Sequence, residues 1–194
     1  MEPPVTYHPK FVADPDLALK TLQNELEWER RSDAPRSEYY CNDFQKPYVY
    51  GRGNGRRTYM PRPYHPVVMQ IRSQLETLLT HWFEVCFLNR YLDQSDHLGW
   101  HADDSPEMDD LRPIAVVSLG VEREIWFRPK VAPLPDGVVS LADVQKLKLE
   151  HGSLCVMAPG MQDAWEHRIP KASFKCGERI SLTFRGYVEP PVLP

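Results

Sequence analysis

The sequence predicts a mostly β protein with flanking helices (α+β), in the form of a double-sheet barrel or jelly roll braced by helices. Three observations carry that prediction. Two amphipathic helical patterns occupy the first half of the chain, and five short strand-like segments follow residue 85. Nineteen prolines sit mainly in connecting stretches and the tail, which suits a loop-rich β protein better than a helical bundle. A length of 194 residues, 42% of them hydrophobic, supports one domain over 1–194, and no internal repeat or linker divides it.

The first helical pattern is "DPDLALKTLQNELEW", with Asp14 as N-cap, Pro15 at the first helical position and Leu19, Leu22 and Leu26 on one face. The second is "PVVMQIRSQLETLLTHWF", where Val68, Ile71, Leu75, Leu78, Leu79 and Trp82 recur at helical spacing. Together they are expected to cover one face of a sheet. The strands are "VCFLNRY", "PIAVVSLG", "REIWFRP", "SLCVMAP" and "RISLTFRGYV", rich in β-branched and aromatic residues and bounded by Gly, Pro or Asp. Residues 31–64 are the least regular stretch.

Composition narrows the function classes. No apolar run approaches the 18 or more residues of a membrane span, and "MEPPVTYHPK" lacks a signal-peptide core, so a cytoplasmic or nuclear monomer is expected. Cysteines at 41, 86, 155 and 176 form no CxxC pair, which argues against structural zinc and for reduced thiols. The net charge of −4 does not announce a nucleic-acid binder, but it is unevenly spread. Residues 31–64 hold seven basic and three acidic side chains, a net of +4, leaving −8 on the other 160 residues. That same stretch carries six of the nine tyrosines, interleaved with arginine in "YVYGRGNGRRTY". Such a mixture suits phosphate contacts plus stacking on an unpaired base, and equally a surface loop whose tyrosines pack on the barrel.

The chemistry begins at "LGWHADDSPEMDD". Between Asp93 and Asp110 lie seven carboxylates and no Lys or Arg. Alternate residues of an extended chain point the same way, so His101 and Asp103 at a strand end would face one point. They would supply two ligands of a 2-His-1-carboxylate iron site. Of the two histidines that follow, His167 lies in a strand-like segment, "DAWEHRIPK", and His151 looks like a turn residue. HxD alone is a weak signal; a solvated acidic loop and a hydrogen-bonded His167 account for the same residues. In "ERISLTFRG", Arg179, Ser181, Thr183 and Arg185 share one face and Ile180, Leu182 and Phe184 the other. Two arginines enclosed on one face would need anions, and a dicarboxylate would serve both; an exposed outer face explains them as well. His8, His65, His81 and His97 are assigned no chemistry.

Taken in order, "NRY…GWHADD…EHGSLCVM…WEHRIPK…RISLTFR" resembles the AlkB family of Fe(II)- and 2-oxoglutarate-dependent dioxygenases, and within it the branch of human AlkB homolog 3. The resemblance runs from "PRSEYY" to "LTFRGYV". It implies a double-stranded β-helix, or jelly roll, with N-terminal helices and a nucleotide-recognition lid within 31–64. It implies iron ligands His101, Asp103 and His167, with Fe(II) and 2-oxoglutarate as cofactors. Arg179, helped by Tyr91, would pair with the distal carboxylate of 2-oxoglutarate, and Asn89 and Arg185 would lie near its chelating end. Ser181 stands where the family strand has Asn, and Ser105 where the branch has an acidic residue; Asp104 is retained. The resemblance extends to the lid, where Arg36 and the Tyr48/Tyr50 pair stand in corresponding places. Tyr48 or Tyr50 is expected to contact the target nucleotide while Arg52, Arg56 and Arg57 hold its backbone, and Asp104 is expected to favour a base made cationic by methylation. The implied function is oxidative demethylation of bases such as 1-methyladenine and 3-methylcytosine in single-stranded or flipped-out nucleic acid, releasing succinate, CO2 and formaldehyde. Two rivals stand beside it. One is a hydroxylase of the same fold acting on a protein, small molecule or unmodified base. The other is a nucleic-acid-binding relative without turnover.

Overall fold

A computed structural model of the chain describes residues 2–32, 34–50, 56–130 and 144–188. Its elements run β1 (Val5–His8), α1 (Pro15–Glu25), β2 (Ser37–Asn42), β3 (Tyr48–Tyr50), β4 (Arg57–Tyr59), α2 (Pro66–Leu79), β5 (Val85–Tyr91) and β6 (Leu98–His101). They continue with β7 (Ile114–Gly120), β8 (Arg123–Pro129), β9 (Gln145–Leu149), β10 (Ser153–Met157), α3 (Met161–Ala164), β11 (Trp165–Ile169) and β12 (Arg179–Arg185). Two antiparallel sheets form the body: a major one ordered β1-β10-β7-β12-β5-β2 and a minor one ordered β6-β11-β8-β9. A separate hairpin pairs β3 with β4.

The alternation in β12 explains this layering. All seven of its residues are buried. Ile180, Leu182 and Phe184 join a core with Ala18, Leu22 and Leu26 of the first helical segment and Val68, Ile71 and Leu75 of α2. The helices therefore cover one face of the major sheet, as their periodicity predicts. The opposite face looks toward the minor sheet, and there Arg179, Ser181, Thr183 and Arg185 are all enclosed. A second apolar cluster between the sheets joins Tyr91, Val116 and Met157 to Ile125, Phe127 and Trp165.

Three expectations need correction. α1 ends at Glu25 rather than Trp28, because Leu26 turns to extended backbone (φ −86°, ψ 137°). α2 ends at Leu79, where Thr80 adopts the left-handed conformation that stops helices. Trp82 is therefore off the helix and 70% exposed, and Leu78 points to solvent instead of the core. Residues 37–42, within the stretch read as irregular, form a fully buried edge strand of the major sheet, paired with β5 from Ser37↔Arg90 to Asn42↔Val85. Its sequence SEYYCN lacks the apolar/polar alternation that would have revealed a strand.

Candidate metal centre and cosubstrate pocket

His101 is the last residue of β6, and β11 brings His167 directly opposite it in the antiparallel register. Asp103 follows two residues later. The ligand atoms of the three side chains all lie within 4.8 Å of one another. His101 Nε2 is 3.7 Å and His167 Nε2 3.8 Å from the Asp103 carboxylate, and the two imidazole rings have centroids 4.2 Å apart. His151, by contrast, lies in a turn and accepts a hydrogen bond from Gly120 N through Nδ1.

Protonation suits metal binding. Burial pushes the His167 pKa down to about 3, with His101 adding to the effect and Asp103 opposing it; burial also lowers that of His101. Both imidazoles are thus neutral near pH 7, as ligands must be. Burial alone would raise the Asp103 pKa, but Arg185, His167 and His101 outweigh it and hold the carboxyl below its ordinary value. His101 Nδ1 is 2.9 Å from the Gly99 carbonyl, an acceptor, so that nitrogen carries the proton and Nε2 keeps its lone pair. Two neutral imidazoles and one carboxylate form the donor set that holds Fe(II) and leaves positions open for other ligands.

Two residues that the sequence did not single out brace the site, one at Asp103 and one at Arg179. Gln162 on α3, itself buried, accepts a hydrogen bond from Asp103 N at 2.8 Å. Ser118 on β7 accepts one from Arg179 Nη2, also at 2.8 Å. Neither belongs to a motif, and only the fold brings them within reach. Arg185 donates from Nη2 to Asp103 Oδ1 at 2.6 Å, so this arginine grips the carboxylate of the candidate metal site itself.

Arg179 is 0% exposed, which removes the surface-face reading of its strand. Its Nε and Nη1, together with the Tyr91 hydroxyl, have no hydrogen-bond partner among the described residues. The Tyr91 ring lies 5.2 Å from the guanidinium, and the two residues are register partners on β5 and β12. Burial lowers the Arg179 pKa, and nearby Arg123 adds to this. A buried cation with unused donors is the signature of an anion site. Ser181 pairs in register with Asn89 on one side and Ser118 on the other.

A matching model, that of the 2OG-Fe(II) oxygenase superfamily, covers residues 3–185. The chain belongs to this superfamily. Alpha-ketoglutarate-dependent dioxygenase alkB homolog 3 of Homo sapiens is 30% identical over 192 residues, covering 93% of this chain and 65% of that protein. The Bos taurus counterpart is 31% identical over 188 residues, covering 91% and 64%. This chain thus spans just under two thirds of those relatives. DNA oxidative demethylase ALKBH2 of Mus musculus is 36% identical over 193 residues, 89% of this chain and 75% of the relative. The AlkB resemblance read from the motifs therefore holds, and the chain is a member of the Fe(II)- and 2-oxoglutarate-dependent dioxygenases. A solved structure of OsALKBH1 shares the fold, with a TM-score of 0.64 at 16% identity over 96% of this chain and 98% of that one.

Around this centre the structure distributes the residues expected to form a lid, and their expected partners, unequally. Tyr48, Tyr50, Arg36, Asn89 and Arg185 line one pocket with His101 and Asp103. Arg36 is buried, donating to Asn89 Oδ1 at 2.5 Å and pairing with Glu38 at 2.7 Å. Tyr48 is buried against Tyr59, its ring stacked at 6.0 Å, and its hydroxyl lies 2.6 Å from Ser105 Oγ. Tyr50 is the exposed member of the pair. Arg56 is exposed and Arg57 half-buried, whereas Arg52 lies outside the described residues. Asp104 forms an ion pair with Lys130 at 3.0 Å. Among the described residues no helix is long and apolar enough to cross a membrane.

Proposed function

We propose that this protein oxidatively removes N-alkyl groups, methyl above all, from bases of nucleic acid. The observation that carries the reading is the convergence of His101, Asp103 and His167 inside a fold that also encloses an arginine with unfilled donors. Its relatives, named as a dioxygenase and a DNA oxidative demethylase, support the same chemistry.

Iron(II) held by the three ligands would, with 2-oxoglutarate and O2, supply the oxidant for C–H hydroxylation, the cosubstrate leaving as succinate and CO2. Arg179 offers Nε and Nη1 to the distal carboxylate, with the Tyr91 hydroxyl as a further donor. Asn89, fixed by Arg36, and Arg185, fixed by Asp103, flank the chelating end; Ser181 lies between Asn89 and Ser118. Hydroxylation of an N-methyl group gives a hydroxymethyl adduct, which loses formaldehyde and restores the base.

The methyl must reach a buried centre, so the target base is unpaired or turned out of its stack. Tyr50 is the exposed aromatic available to it, backed by Tyr48 and Tyr59. Arg52, Arg56 and Arg57 contact phosphates. Asp104 favours a base made cationic by methylation, in competition with Lys130.

Mass spectrometry of methylated DNA and RNA oligonucleotides incubated with protein, Fe(II), ascorbate and 2-oxoglutarate tests this reading. It expects loss of methyl groups with matching succinate and formaldehyde. Succinate release stimulated by peptides and not by oligonucleotides would replace it with a same-fold hydroxylase. No Fe(II)-dependent succinate at all would leave a binding protein without turnover.

A further inference from the structure

The back of the minor sheet carries a row of alternating cations and indoles. Arg128 lies 4.3 Å from the Trp100 ring, Arg168 4.7 Å from Trp100 and 4.2 Å from Trp126, and Lys146 4.2 Å from Trp126. The row crosses all four strands, β6, β11, β8 and β9. Arg168 is its joint, the one cation among these that touches both indoles.

Two of these residues adjoin the metal ligands: Trp100 precedes His101 and Arg168 follows His167. Strand alternation turns Trp100 and Arg168 outward and both imidazoles inward. β6 needs such support. It is an edge strand, and its pairing with β11 consists of His167↔His101 and Ile169↔Leu98 with a register shift between them. Two residues of β6, Gly99 and Trp100, therefore stand opposite the single residue Arg168, which is a bulge. The backbone ladder is interrupted at the residue just before a ligand. Cross-strand side-chain contacts behind the sheet add to the single register pair His167↔His101 that remains at this end of the ladder. On β11 itself, Glu166 pairs with Arg128 at 2.7 Å and ties that strand to β8.

We infer that Arg168, through Trp100 and Trp126, is a positioning residue for the metal centre, clamping the bulged edge strand from behind so that His101 and His167 share one ion. This rests on the assignment of His101, Asp103 and His167 as ligands. Co(II), whose d–d absorption reports coordination geometry, is the probe: it is titrated into wild type, Arg168→Gln, Arg168→Lys and Trp100→Leu, and the metal-free proteins are melted in parallel. Arg168→Gln and Trp100→Leu are expected to bind Co(II) about tenfold more weakly, with shifted d–d bands, as outer-shell changes do at other metal sites. Arg168→Lys, which keeps a cation over the indoles, is expected to restore wild-type affinity and bands, while the metal-free proteins melt together. Wild-type Co(II) affinity and bands in Arg168→Gln and Trp100→Leu would overturn the inference. So would an affinity loss that only tracks a fall in melting temperature and that Lys does not rescue. Failure of the wild type itself to bind Co(II) would instead remove the ligand assignment beneath it.

Discussion

Replacing Arg179 with Met separates the two halves of the anion-site argument, because stability and ligand affinity should move in opposite directions. The guanidinium is fully enclosed, donates a hydrogen bond to Ser118, and carries two nitrogens without partners among the described residues. Without an anion its desolvation is only partly compensated, so an apolar side chain of similar length should leave the ligand-free protein unchanged or more stable by up to about 2 kcal/mol. For a chain of this size that is a melting temperature equal to wild type or higher by several degrees. With 2-oxoglutarate the order reverses. Two charge-assisted hydrogen bonds at roughly 1.5–3 kcal/mol each are lost, which predicts affinity weaker by about 100-fold or more. Calorimetric titration of 2-oxoglutarate in the presence of Mn(II), with melting curves of both proteins with and without it, measures both effects. An Arg179→Met protein that binds 2-oxoglutarate within a few-fold of wild type would refute the reasoning. So would a ligand-free variant several kcal/mol less stable, since the buried charge would then be satisfied already.

Three other outcomes follow from contacts described above. Gln162→Leu leaves the Asp103 amide without its acceptor and should cost about 1–3 kcal/mol in denaturant unfolding, with metal affinity falling about tenfold. Arg56→Ala with Arg57→Ala should weaken single-stranded oligonucleotide binding and reduce its log–log salt slope by about 1.4, two contacts at ~0.7 each; an unchanged slope would take the phosphates away from this hairpin. Asp96 is buried, which would raise its pKa, yet hydrogen bonds from Arg30 and Leu92 N hold it below the ordinary value. Its stabilisation is present above the unfolded-state pKa near ~3.9 and is lost as pH falls through the lower folded value. Asp96→Asn should therefore cost about 1–2 kcal/mol at pH 7, discounted because Arg30 is 41% exposed, and should flatten the acid limb of stability.

Some of this architecture was written in local pattern and some was not. The β12 sequence announced two faces, and both are buried because helices lie on one side and the minor sheet on the other; alternation shows the faces but not what covers them. The spacing of His101 and Asp103 was readable because one strand ends at His101 and Asp103 follows two residues on. His167 entered through its strand-like context and through resemblance, since the register that places it opposite His101 joins residues 66 apart. Ser118, Gln162 and Arg123 were invisible for the same reason. Arg123 spends its donors on the carbonyls of Asp93, Asp96 and Pro170, holding together loops that its own strand does not predict. The end of α2 was missed because Leu78 and Trp82 continue the apolar period while Thr80 breaks the backbone.

The central claim is that three side chains grip one divalent ion, and electron paramagnetic resonance during Mn(II) titration tests it directly. One ion per chain is predicted for the wild type, with the bound signal lost in His167→Ala and in Asp103→Ala while both variants keep the wild-type fold by circular dichroism. Unaltered Mn(II) binding by His167→Ala would contradict the account, because the ion would then be held somewhere else.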